Sequence, residues 1–347
     1  MKSNPNKILP MVSVIIPLYN GEKYIIKCLE SVRNQNYPFV EIIVINDESR
    51  DNSIEVIDAY RKKYGDFLKL TLINQKNQGQ GAARNTGIRK ASGKYLTFLD
   101  QDDTLEEGIL LKMVNNAETD HADIVSCGYQ RITKDGKFKQ KVQLKQTEWS
   151  KYKIIAPWSK LYRTDFIRKN QISFLPIVLG EDIYFLMQAY SYAPKITFLE
   201  DIGYQWLDNT CSVSNTAHKK LTKETSLLAL FDMLGSLEHS DVLKQDKMYE
   251  YFLQKTAIWD ILYTARNNQY TLVKENAAAI WEWFEEHFPD YKKNPYLTPT
   301  APKGETKRIR LLVWGYMCLK KWGYENILLK ILHLTAKNSK QVKLVGS

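Results

Sequence analysis

Apolar and polar positions along the first hundred residues follow two alternating periods. Val12 to Ile16, Glu41 to Ile45, Leu68 to Ile73 and Tyr95 to Leu99 are short runs rich in β-branched and aromatic residues, the pattern of buried strands. Between them, Glu22 to Arg33, Ser53 to Tyr64 and Gly81 to Ala91 repeat apolar residues at the spacing of one helix face. This βαβαβαβ order predicts an α/β fold with a mostly parallel central sheet and helices on both faces. Ligands of such sheets bind beyond the carboxyl ends of the strands. The residues found there are Pro17 to Asn20, Asn46 and Asp47, Asn74 to Gln80, and Asp100 to Asp103, so polar and acidic side chains gather at one rim.

Further along, Glu106 to Thr119 predicts a helix, Asp123 to Tyr129 a fifth strand and Asp135-Gly136 a hairpin turn. From about Lys219 the periodicity is helical: Leu221 to Leu237, Val242 to Arg266, Val273 to Phe288 and, after a linker broken by Pro295, Pro299 and Pro302, Arg308 to Leu319 and Tyr324 to Ala336. The chain is expected to divide into an α/β domain over 1–215 and an all-α domain over 216–347.

Composition sharpens this picture in three places. Cys28, Cys127, Cys211 and Cys318 stand singly, without the spacing of a zinc site or small disulfide framework, which predicts a reduced, intracellular compartment, the cytoplasm. Met1 to Pro10 lacks the apolar core of a signal peptide, and no run approaches the roughly 18 to 20 apolar residues of a membrane span, so neither export nor integration is expected. The net charge is +10, of which the ten Lys and Arg against two Glu from Lys303 to Ser347 supply +8. The rest of the chain is near neutral, which argues against nucleic acid as a partner.

Two motifs carry chemistry. Leu99-Asp100-Gln101-Asp102-Asp103 runs a strand into three acids within four residues, an arrangement that repels itself unless a divalent cation or hydrogen-bond donors offset the charge. The alternative is a solvated turn with helix N-caps ahead of Glu106. Asn77 to Gly87 is a Gly-rich approach to a helix bearing Arg84 and Asn85, whose backbone amides could hold phosphate with Arg84 adding charge. Its alternative is a helix start with glycines for close packing.

Taken in order, Val12-Ser-Val-Ile-Ile-Pro-Leu-Tyr-Asn20, Ile45-Asn-Asp-Glu-Ser-Arg-Asp-Asn-Ser53, the Asn77 to Gly87 stretch, Leu99 to Asp103 and Gly180-Glu-Asp-Ile-Tyr-Phe185 resemble the family 2 glycosyltransferases of GT-A fold, of the kind that build bacterial surface polysaccharides. The resemblance covers roughly residues 11 to 214. It implies an inverting, metal-dependent transfer from a nucleotide-sugar, UDP-linked in most relatives, to a hydroxyl of a glycan or lipid-linked glycan. Within 1–215 it assigns nucleotide-sugar binding to 11–130 and the base and acceptor to 131–215.

Residue by residue, Pro17, Tyr19 and Asn20 match the first nucleotide-contacting loop, and Asp47 the acid that receives the N–H of the base. Asp51 matches either a nucleotide contact or an N-cap for the helix at Ser53. Asp100 matches the residue near the ribose and sugar, Gln101 belongs to the same donor-binding turn, and Asp102 matches the ligand of the Mn²⁺ or Mg²⁺ that holds the diphosphate. Glu181 and Asp182 match the acidic pair in which the Asp is the general base; the alternative is two acids favouring a helix N-terminus. Trp158 lies in a stretch matching the acceptor floor, where stacking on a sugar and core packing are both open. Ser212 to Ser214 matches the segment closing over the diphosphate, but Gln205-Trp206-Leu207 stands where relatives often carry Arg or His.

Two other function classes compete with this one. A nucleotidyltransferase requires a Gly-rich basic loop after the first strand, which Pro17 to Gly21 is not. A noncatalytic nucleotide-sugar or polyanion binder is opposed by the intact Asp102 and Asp182. Outside the resemblance, Arg308 to Trp322 places an apolar, aromatic block between basic clusters. Its two readings are a peripheral helix on an anionic bilayer, such as the inner face of the plasma membrane, and a face packed on the catalytic domain or on a second copy in a homodimer.

Overall fold

β1 (Val12–Leu18) is buried along its whole length inside the sheet, with β2 (Val40–Asp47) beside all of it and β4 (Tyr95–Phe98) beside Val12–Ile15, each parallel to it. Burial on both faces explains a nearly continuous apolar run rather than an alternating one. β3 (Lys69–Gln75) adds parallel to β2, giving the order β3-β2-β1-β4. The register sets Leu18 opposite Asn46 and Asp47 opposite Gln75, so the strand ends come level and their following loops share one rim. Pairing with β4 stops at Ile15, so Pro17 stands where β1 has β2 as its remaining neighbour and a missing N–H is tolerated.

The computed structural model describes residues 9–65, 68–177, 180–192, 194–209, 221–222 and 226–345, with side chains of the last helix as far as 335. α1 (Ile25–Arg33), α2 (Ser53–Tyr64) and α3 (Gln80–Lys90) link the first four strands. α3 lies so close to β1 that a Cβ at Gly87 would stand 2.2 Å from Ile15 Cγ2, which is why glycine occupies that turn.

Beyond β4 the sheet becomes mixed. β8 (Lys160–Arg163) pairs antiparallel with β4, β6 (Ile124–Ile132) antiparallel with β8, β9 (Ile196–Leu207) parallel with β6, and β5 (Thr104–Leu105) antiparallel with β9. β7 (Phe138–Val142) forms the expected hairpin with β6, its turn closed by the Thr133 N–H donating to Lys137 O at 2.9 Å. The helix expected from Glu106 starts later, as α4 (Ile109–Asp120), because Thr104–Leu105 is taken by β9 and Gly108 sits at φ +73. An aromatic core behind the rim stacks Phe174 on Phe185 at 4.1 Å and sets both edge-on to Phe98. Phe185 belongs to α7 (Glu181–Ser191), so this packing fixes where the acidic first turn of that helix stands.

The chain divides into two compact units. Met1–Gln146, Ile155–Pro176 and Glu181–Asn209 form the first, which also holds α6 (Thr164–Lys169), and Thr147–Ile154, Ile177–Gly180 and Thr210–Ser347 the second. The second is helical in its described residues: α5 (Ser150–Lys153), α8 (Leu227–Gly235), α9 (Ser240–Gln245), α10 (Lys247–Thr264), α11 (Tyr270–His287), α12 (Lys307–Lys321) and α13 (Glu325–Val345). The single helix expected over Val242 to Arg266 is two, because the Asp246 carboxylate accepts from the Met248 N–H at 2.8 Å and caps a new start. Trp281 stacked on Tyr291 at 5.7 Å, with Phe284 beside both, centres its core. No helix among the described residues is long and apolar enough to cross a membrane.

Candidate active site

The loops after β1, β2, β3 and β4 brace one another. Gly21 and Glu22 donate their N–H groups to Ser53 Oγ and Asp51 Oδ2 at 2.9 and 3.0 Å, and Asp51 Oδ1 accepts from the Ser53 N–H at 3.1 Å. Asp51 therefore ties the first loop to the start of α2, in the capping sense. Asn20, at φ +50, accepts the Arg50 N–H on Oδ1 at 2.8 Å, and Tyr19 leaves its ring 43% exposed at the rim. Asp47 is buried and gathers the third loop: Oδ1 accepts from Gln75 Nε2 at 2.8 Å and the Gln78 N–H at 3.0 Å, and Oδ2 from the Gly79 N–H at 2.8 Å.

Arg84 is the pivot. It enters from α3 fully buried, and its guanidinium joins two carboxylates ninety-eight and sixteen residues away: Nη1 to Asp182 Oδ1 and Nη2 to Asp100 Oδ1, each at 2.8 Å. Asp100 Oδ1 also accepts from Gln80 Nε2 at 3.0 Å. Burial opposes the charge on Arg84, and the Asp182 and Asp100 carboxylates outweigh it, so the guanidinium stays firmly protonated. On Asp182 the balance runs the other way: burial first, then Glu181 and Asp100, push its carboxyl up to about 7 against the pull of Arg84. Burial also raises Glu181, with Arg84 opposing. Both acids stand in the first turn of α7, where the helix dipole favours negative charge.

Asp102 and Asp103 are adjacent and identical in type, yet they face different surroundings. Asp103 turns inward, where Tyr204 Oη donates to Oδ2 at 2.6 Å and the Leu207 N–H to Oδ1 at 2.8 Å. Burial and the Asp100 and Asp102 charges nevertheless hold its carboxyl well above the usual range. Asp102 is approached by Asn209 Nδ2 at 3.5 Å, and burial together with Asp100 raises it as well. Among the described residues no three His, Cys, Asp or Glu side chains gather as a metal cage.

Three of the expected site residues have partners within the fold. The two terminal nitrogens of Arg84 are drawn to the carboxylates because burying that charge demands paired partners. The Gln101 amide is occupied by the Tyr19 backbone, with Oε1 accepting its N–H at 2.8 Å and Nε2 donating to its carbonyl at 3.0 Å, so it shapes the first loop. Trp158 is 8% exposed, stacked on Tyr204 at 4.4 Å and edge-on to Tyr129 at 5.1 Å, so core packing claims it. Tyr204 itself is a residue that the sequence motifs do not point to. It accepts the Asp100 N–H at 3.2 Å while donating to Asp103, which knits the acidic turn to β9. An aromatic within a strand-like run carries no mark to separate that role from ordinary packing. Ser212 to Ser214 lies outside the described residues.

A mixed α/β sheet with carboxylates converging at the ends of its parallel strands, followed by an acid-led helix, has the layout of a ligand-binding α/β domain, in which ligands sit beyond the strand ends. Residues 13–176 match the model of glycosyl transferase family 2. EpsH of Bacillus subtilis is 34% identical over 238 residues, 64% of this chain and 67% of EpsH. The poly(ribitol-phosphate) beta-glucosyltransferase of Bacillus spizizenii is 33% identical over 205 residues, 56% of this chain and 32% of that protein, so the chain spans about a third of it. In three dimensions, Staphylococcus aureus TarS 1–349 in complex with UDP-GlcNAc superposes with a TM-score of 0.62 at 20% identity, covering 92% of this chain and 90% of that one. The chain belongs to glycosyl transferase family 2, and its first unit carries the GT-A fold. It is a glycosyltransferase, and the nucleotidyltransferase alternative is set aside.

Proposed function

We propose that this chain transfers a sugar, with inversion, from a UDP-sugar to a hydroxyl of a surface polymer or its lipid-linked precursor, with the sheet rim as the donor site and Asp182 as general base. The observation that carries the reading is the Arg84 bridge, which sets the base candidate and the donor-side Asp100 on one guanidinium. The exposed Tyr19 ring offers a face to the nucleotide base, Pro17 and Asn20 shape the loop beside it, and Asp47 Oδ2, with one of its lone pairs used by Gly79, keeps another for a base N–H. UDP is chosen because TarS, similar in fold, is described with UDP-GlcNAc, and a polymer hydroxyl because one relative is a poly(ribitol-phosphate) glucosyltransferase.

Asp102 is the residue that would hold Mn²⁺ or Mg²⁺. The fit rests on donor chemistry: it is an oxygen ligand held above its ordinary pKa by burial and a neighbouring carboxylate, so a cation relieves what a proton otherwise would. A metal bound there supplies charge neutralisation for the diphosphate. Asp182 takes the proton of the acceptor hydroxyl as that oxygen forms its bond to the anomeric carbon. The bond from that carbon to the phosphate oxygen breaks, and its electron pair leaves with the nucleoside diphosphate. A single displacement inverts the anomeric centre. Glu181, Gln101 and Arg84 position the groups that react, and Trp158 supports that floor through Tyr204.

A screen of nucleotide sugars with and without Mn²⁺ tests the reading, because a ligand that binds the native state alone raises the melting temperature. A UDP-sugar with Mn²⁺ should give the largest rise, and prolonged incubation should release UDP. If no nucleotide sugar stabilises the chain and none is hydrolysed or transferred, the proposal fails.

A further inference from the structure

We propose that the helical hairpin of α12 and α13 seats on an anionic lipid surface, a property beyond the transfer reaction. α12 buries Val313, Tyr316 and Met317 on one face. Leu311, Trp314 and Trp322 are 40%, 40% and 65% exposed, and helical spacing puts them, with Cys318 between, in one sector of about 100° opposite that face. α13 repeats the arrangement: Leu329 is buried, while Ile327, Ile331 and Leu334 are each more than half exposed along the opposite side. Trp322 and Tyr324 flank the connecting Gly323 at φ +78, so the turn is aromatic and exposed as well.

Charge selects the occupant. Lys307, Arg308, Lys321 and Lys330 are exposed around these stripes. From Lys307 to Ser347 Glu325 is the single acidic residue, and it is committed inward, accepting from Trp281 Nε1 at 2.7 Å and Tyr316 Oη at 2.5 Å with Lys320 at 3.3 Å. Among the described residues, no other carboxylate of either helix is left to offset the exposed cations. A second copy would bring two such basic faces together against their repulsion, whereas an anionic bilayer supplies the opposite sign and an apolar layer beneath it. Trp and Tyr beside Lys and Arg are the residues that settle at the headgroup boundary, and neither helix is apolar enough to span.

The test is sedimentation of the full chain with vesicles of phosphatidylcholine, with and without phosphatidylglycerol, at low and high salt. The chain should follow the phosphatidylglycerol vesicles only, be released by salt, and weaken about fivefold for each of Lys307→Gln and Lys321→Gln. Trp314→Ser combined with Trp322→Ser should abolish sedimentation while donor hydrolysis stays unchanged, since neither ring is among the donor-site residues. The inference is overturned if the chain remains in the supernatant or binds both vesicles equally. It is equally overturned if the double serine variant still sediments, or if a lipid-independent dimer forms that Trp314→Ser dissociates.

Discussion

Two carboxylates in the first unit show opposite uses of the same chemical group. Glu41, near the start of β2, is surrounded by donors: Ser13 Oγ and the Ser92 N–H at 2.6 Å, Ser92 Oγ at 2.7 Å and Lys69 Nζ at 2.7 Å. Burial pushes its carboxyl up, but those partners prevail and hold it at about 2. Asp182, beside the acidic rim at the other end of the strands, accepts from Arg84 next to two like charges and is raised to about 7. A carboxylate that serves the fold is saturated with donors, whereas one left short of them beside other acids keeps a capacity for a proton, a cation or a substrate hydroxyl.

The largest effect that sharpens this contrast belongs to Asp102. Asp102→Ala, or excess chelator on the unaltered chain, should lower turnover by about a thousandfold or more, since several kcal/mol of charge stabilisation at the diphosphate disappears. Full turnover in chelator would break the metal assignment. Arg84 comes next. Because it holds Asp182 down, Arg84→Gln should move the acid limb of the kcat/KM profile to higher pH and cost roughly 1 to 3 kcal/mol of stability by leaving the partly buried Asp100 and Asp182 without their shared cation. Arg84→Lys should restore most of the profile; equal limbs in all three proteins would remove Arg84 from the account.

The smallest effect falls on the other side of the comparison. Glu41→Gln should cost about 1 to 3 kcal/mol in urea unfolding and leave kcat unchanged. The sign follows from its depressed carboxyl: the stabilisation is complete above the unfolded value near 4.5 and is lost as pH falls through that window toward about 2. A variant as stable as the parent at neutral pH would show that the donor set around Glu41 is inert.

Much of this frame is legible in the amino-acid sequence. The four parallel strands follow from short runs rich in β-branched and aromatic residues, α2 from Ser53 to Tyr64 spans its expected residues, and the level register explains why the acids share one rim. Side-chain commitments are different, because they depend on partners distant in the chain. Nothing in Asp102-Asp103 says which acid turns inward; Tyr204 and Leu207, about a hundred residues on, decide it. Arg84 beside glycines suggests phosphate until Asp182 is folded against it, and the Gln101 amide is indistinguishable from a ligand contact until it meets the Tyr19 backbone. Tandem identical residues and long polar side chains are where local pattern loses its grip.

The central claim, that Asp182 is the base, is met most directly by Asp182→Asn assayed for turnover and for nucleotide binding by calorimetry. The amide keeps the shape and loses proton acceptance, so turnover should fall by roughly two to four orders of magnitude while UDP affinity with Mn²⁺ changes little. Near-normal turnover in Asp182→Asn, with Glu181→Gln inactive instead, would contradict the account and move the base one residue earlier on α7.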